Sequence, residues 1–161
     1  MFSPSLIVLA RAIHILAGVY WAGAMFVFAG SLLPAMRNGG PALVPVLKSI
    51  GMRSGIAGLL TILAGIYLYA ALHSPDESLG GKVLGIGAAA AILAFLIALL
   101  VNMPAGRKLA KLHASPAADA KNQERMAAAL QFRVRLGARL IAGLLGIAVL
   151  CMAVFRYASL L

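Results

Sequence analysis

Four long apolar runs, at about 12–33, 54–73, 83–104 and 139–158, alternate with shorter polar or mixed stretches along the 161 residues. Each run is long enough to cross roughly 30 Å of hydrocarbon as a helix, and none shows the two-residue alternation of an outer-membrane barrel strand. The pattern predicts an all-α integral membrane protein: a four-transmembrane-helix bundle forming a single transmembrane domain over 1–161, with no convincing internal repeat. Within the first run, His14, Gly18, Trp21 and Met25 fall at i, i+4, i+7 and i+11, so they share one helix face. Arg11, one turn before His14, suits the water boundary.

Breakers divide the rest. Pro4 suits a first turn, so the first helix can begin before Arg11; Pro34 predicts its end, and NGGP at 38–41 predicts a loop. ALVPVLKSI reads as a short interfacial segment. In the second span Gly51 and Gly55 form a small-xxx-small pair, continued by Gly58 and Gly65, which predicts close helix contact. HSPDESLGGK predicts the turn between spans two and three. Gly85, Gly87 and Ala88–Ala91 open the third span to close approach, and Asn102 and Pro104 mark its other end. The 105–138 connection has no breaker from Ala118 to Gly137, so the last helix is expected to protrude from the membrane. Gly143 and Gly146 offer further packing surfaces.

With 63% apolar and 11% charged residues, the composition excludes an ordinary soluble domain. A net charge of +10 would point to nucleic acid in a soluble protein, but these cations flank apolar spans, and no nucleic-acid partner is expected. Arg37, Lys48 and Arg53 lie between spans one and two; Arg107, Lys108, Lys111, Lys121, Arg125, Arg133 and Arg135 lie between spans three and four. The positive-inside rule makes these connections cytoplasmic and puts both termini outside, in the periplasm for a multi-pass protein of the bacterial cytoplasmic (inner) membrane. The expected partners are the lipid bilayer, whose anionic headgroups suit the basic face, and a homo-oligomer or a larger membrane complex. The first run lacks the charged start of a signal peptide and exceeds its usual apolar length. Cys151 is the sole cysteine, so the chain forms no internal disulfide and no thiolate cluster.

This topology brings candidate chemistry to one membrane level. His14 lies near the outer end of span one; Tyr69 and His73 follow Gly65 at i+4 and i+8 on span two, and Lys82 opens span three. Tyr20 and Trp21 are near His14 in sequence. Ionisable groups at such depth are costly and mark functional sites, and imidazole ligates both haem iron and copper. His14 and His73 are the candidate metal ligands, with Tyr69 and Trp21 as further cofactor contacts. Two histidines on one side allow at most one bis-histidine haem, with His113 remote. Copper is the alternative cofactor, although a Cu(I) site wants sulfur nearby, and Met25 is deep and Cys151 on another helix. Met36 and Met52 read as packing rather than a copper relay. No intramembrane carboxylate is available for ion-coupled transport.

The pattern His14-x6-Trp21-x-Gly23, the Leu33-Pro34 pair and the lysine opening the third span at Lys82 together resemble the CopD-like group of small bacterial membrane proteins. That group includes copper-resistance CopD domains and is similar to HemJ-type protoporphyrinogen oxidases. The resemblance implies a haem- or copper-associated four-helix bundle in which His14 binds haem b as an axial ligand and Lys82 serves activity. The asparagine–glutamate–proline signature of the HemJ branch is missing from QFRVRLGARL at the corresponding place. Three functions follow as expectations: a haem-binding redox protein (as an enzyme, a haem-dependent oxidoreductase), a copper-handling protein, or a non-catalytic accessory subunit of a larger membrane complex.

Overall fold

The computed structural model describes residues 3–35, 44–72, 78–114 and 120–158, which form four long helices and, among those residues, no strand. The first, α1, runs as Pro4–Val27, passes through a five-residue π-helical segment at Phe28–Leu32 and closes with Leu33–Ala35. The second, α2, is Val44–Leu72. The third, α3, runs as Leu79–Ile97, passes through a second π segment at Ala98–Asn102 and continues as Met103–Ala114. The fourth, α4, is unbroken from Ala120 to Ala158. All four are long and apolar enough to cross a membrane, so the chain is a multi-pass, all-α four-helix bundle. Proline in the first turn of α1 gives up no needed N–H, and the Ser78 hydroxyl accepts the Gly81 N–H at 3.0 Å to cap α3.

The helices overrun several expected boundaries. From Val44 onward ALVPVLKSI is the start of α2, with Pro45 in its first turn, rather than a separate interfacial segment. The 105–138 connection is helical over 105–114 and again from Ala120. The NGGP stretch and residues 73–77 of the other turn, His73 among them, lie outside the described residues.

Pro34 does not end α1, and the π segment explains why. The Leu33 N–H bonds the Phe28 carbonyl, and the Met103 N–H bonds the Ala98 carbonyl, each five residues back. A proline ring normally collides with the carbonyl four residues earlier; a widened turn just ahead of it relieves that collision and lets the helix continue. Pro34 and Pro104 each stand two residues past such a turn.

The two π segments are seventy positions apart, and each is followed by the same x-Pro-Ala sequence, Leu33-Pro34-Ala35 and Met103-Pro104-Ala105. Buried Ser54, Gly58 and Thr61 of α2 recur as buried Ile141, Leu145 and Ala148 of α4, eighty-seven positions on. The bundle is therefore two hairpins of one plan, α1–α2 and α3–α4, a repeat that the residue identities conceal. Contacts are dense within each hairpin and sparse between α1 and α4 and between α2 and α3.

Small residues make the dense contacts possible. In the second hairpin Ala90, Ala91 and Ala94 are buried with Ile141 and Leu145 in one core, and a methyl on Gly87 would stand 2.8 Å from the Cys151 Cβ and 3.4 Å from the Ala148 carbonyl. In the first, the Trp21 indole, 2% exposed, lies over Gly58 and meets Phe95 of α3 edge-on at 6.0 Å between centroids. The expected Gly51–Gly55 contact is not made: a methyl on either would meet nothing within 4 Å, and the same is true of Gly85 and Gly143. Gly58 and Gly65 carry the approach instead.

Candidate functional site

His14 faces α2, on the side of α1 that also carries Gly18 and Trp21. Its Nδ1 lies 2.7 Å from the Thr61 carbonyl oxygen. A carbonyl only accepts, so Nδ1 carries the proton and donates, which leaves Nε2 as the ring nitrogen whose lone pair a ligand could use. The Thr61 hydroxyl donates to the Ala57 carbonyl at 2.8 Å, so it is occupied within its own helix and leaves the Thr61 carbonyl to the imidazole.

Glycine at 65 gives the ring its place. A methyl there would stand 2.9 Å from the His14 Cε1 and 3.1 Å from Nδ1, too close for any larger residue without moving the ring. One turn deeper, the Thr61 methyl would be 3.4 Å from a methyl on Gly18. His14, Gly18 and Trp21 thus meet Gly65, Thr61 and Gly58 in register, and the shared face expected from their spacing is the α1–α2 contact. The imidazole is held on one edge by a backbone acceptor and is half-buried.

The other candidates separate. Trp21 lies seven residues from His14, about 10 Å along the axis at 1.5 Å per residue, and is core packing against Gly58 and Phe95. Tyr69 is one turn beyond Gly65 on α2 and 39% exposed. Lys82 is exposed in the first turn of α3, and Tyr20 is exposed on α1. In hairpin register Lys82 corresponds to position 12 of α1, which puts it within a turn of the His14 level. Cys151 is a free thiol packed on Gly87, away from the histidine. Among the described residues no three His, Cys, Asp or Glu side chains converge on a point where a metal could sit.

Beside His14, the outer faces of α1 and α2 form an open apolar groove of about 280 Å³ between Leu6, Ala10 and Ile13 on one side and Leu60, Leu63 and Ala64 on the other. Its walls offer almost no polar surface, which suits hydrocarbon.

Sequence reasoning missed Thr61, the residue that fixes the tautomer. The available signal was its place as the sole hydroxyl between Ser54 and Tyr67 in an apolar span. Comparison with known proteins found no match, whether among family models, curated proteins or solved structures.

Proposed function

We propose that the chain is a haem-binding redox protein of the bacterial cytoplasmic membrane, with His14 as an axial ligand through Nε2. The observation that carries this reading is the Nδ1 hydrogen bond to the Thr61 carbonyl. Histidines that ligate metals commonly donate their other ring N–H to a backbone carbonyl or carboxylate, which fixes the ring and raises its basicity. The donor set therefore fits one axial ligand. Haem b, when bound, supplies one-electron chemistry at iron. This chain contributes the imidazole, the carbonyl that orients it, and the glycine that admits it. Lys82 contributes a cation for a propionate or a substrate carboxylate at the same end of the bundle. The likeness to the CopD group and the charge asymmetry of the connections support the membrane assignment and the periplasmic placement of His14.

An absorption spectrum of detergent-purified protein, compared with His14→Ala, tests ligand and cofactor together. A Soret band in the wild type that is lost or shifted in the variant is expected; no Soret band after haem loading overturns the reading. Copper analysis of the same samples separates the rival, since copper bound by the wild type and absent from His14→Ala would assign the imidazole to a copper ion instead.

A second reading, as an accessory subunit of a larger membrane complex, is favoured by one observation: the helices of the second hairpin are longer at its basic end, continuing to Ala114 and starting at Ala120. It is compatible with haem at the other end.

A further inference from the structure

The face of α1 that is buried deep in the bundle carries a charge nearer the helix start. Arg11, Gly18, Ala22 and Met25 fall at i, i+7, i+11 and i+14, so they share one side of the helix. Ala22 and Met25 are 5% and 8% exposed, and a methyl on Gly18 would stand 3.4 Å from that of Thr61. Arg11 itself is exposed. The side of α1 that packs at depth is therefore open where it carries the guanidinium. That opening lies one turn from His14, a rise of about 4.5 Å for three residues. The apolar groove is on a different side of α1, lined there by Leu6, Leu9, Ala10 and Ile13.

Neither topology nor an ion pair among the described residues accounts for this arginine. The positive-inside bias calls for cations at the other end of the bundle, so a cation at the His14 end works against it. Glu124, the one acid among the described residues, is near the start of α4, at that other end. Between Pro4 and Ala35 Arg11 is the sole charged residue and His14 the sole histidine. A guanidinium can lay its stem along a helix and keep its head at the water boundary, and its planar fork of donors matches a carboxylate. Haem b combines the two chemistries that this pair of residues serves. Its iron takes an imidazole, and its propionates are carboxylates that must stay toward water.

We infer that Arg11 binds a haem propionate at the mouth of the bundle, leaving Lys82 for the second propionate or a substrate carboxylate. This inference rests on the haem reading and adds to it the residue that recognises the cofactor's charged edge. The lipid-facing alternative, a bond to a phosphate headgroup, fits less well. Arg11 stands on the face that α1 turns to the other helices at depth.

The test titrates detergent-purified, haem-free full-length protein with haem b and, separately, with its dimethyl ester, which keeps the iron and removes both carboxylates. Binding is read from the Soret band. The wild type is expected to bind haem about tenfold more tightly than the ester, and Arg11→Gln to weaken haem about tenfold while leaving the ester within about twofold, as loss of one charge-assisted pair at a partly exposed site predicts. Arg11→Lys is expected to recover part of the preference, and Arg53→Gln, at the other end, to change neither titration. Thermal melts of the variants confirm folding. Equal binding of haem and ester by the wild type overturns the inference and leaves the haem reading standing. So does an equal loss for both ligands in Arg11→Gln, the result expected if the guanidinium serves a lipid phosphate or an acid of the 73–77 turn. A wild type that binds neither overturns both.

Discussion

The imidazole of His14 is hydrogen-bonded through Nδ1 to the backbone carbonyl of Thr61, forty-seven residues away on the neighbouring helix. A side chain tied to a backbone atom is insensitive to the identity of the residue that supplies it, and that separates two substitutions at one place. Thr61→Val keeps the carbonyl and loses only a hydroxyl that is satisfied within its own helix. It is expected to leave the His14 tautomer unchanged and to alter stability by less than about 1 kcal/mol. Side-chain ¹⁵N spectra of histidine-labelled protein are expected to show Nδ1 protonated in both proteins; an unprotonated Nδ1 in the wild type contradicts the arrangement.

Gly65→Ala acts on the same ring from the other side. The added methyl meets Cε1 at 2.9 Å, so the imidazole must tilt away from α2 and its bond to Thr61 must lengthen. The expected result is a perturbed His14 signal and, if haem is bound, a shifted Soret band and weaker retention. Gly55→Ala, where a methyl meets nothing within 4 Å, is the matched control and is expected to change neither.

Gly58→Val tests the core rather than the site. Its side chain would be driven into the Trp21 indole at 2.9 Å and the Phe95 ring at 3.1 Å, and the indole, 2% exposed, has little room to retreat. Overpacking of this kind costs about 1–3 kcal/mol, which a thermal melt in detergent resolves. Trp21→Ala in the same background relieves the collision, so the double variant should be more stable than the sum of the two single changes predicts.

Asn102 and Gly137 form a comparable contact at the basic end. The Asn102 carboxamide lies against the Gly137 Cα, and its buried Oδ1 has no hydrogen-bond partner among the described residues. Gly137→Ala is expected to destabilise the second hairpin by about 1–3 kcal/mol, and Asn102→Ala to restore most of that loss by vacating the space. Denaturation of the four proteins of this cycle measures the coupling; additive effects would show that the two residues do not meet.

How much of this was legible beforehand depends on which force is at work. The four spans follow from apolar length alone, and the His14–Gly18–Trp21–Met25 face follows from helical spacing; both are local properties of the chain. The persistence of α1 through Pro34 was not legible, because it depends on a π turn at Phe28–Leu32 that no residue type announces. The choice of Gly58 and Gly65 over Gly51 and Gly55 as contact points depends on how α2 is rotated against α1, a matter of pairing between distant segments. Thr61 was hidden for a related reason: it acts through a backbone atom, which leaves no signature in its side chain. His73 lies outside the described residues, so its expected place beside His14 gains nothing from the fold.

The dense contacts within the hairpins and the sparse ones between them also bear on how the molecule is put together. Each hairpin has its own Gly- or Ala-lined seam and its own widened turn ahead of a proline, so each carries the information for its own closure. A chain interrupted at the 73–77 connection should therefore still assemble from two separately translated halves, with the seam between α2 and α3 as the last surface to form and the first to part.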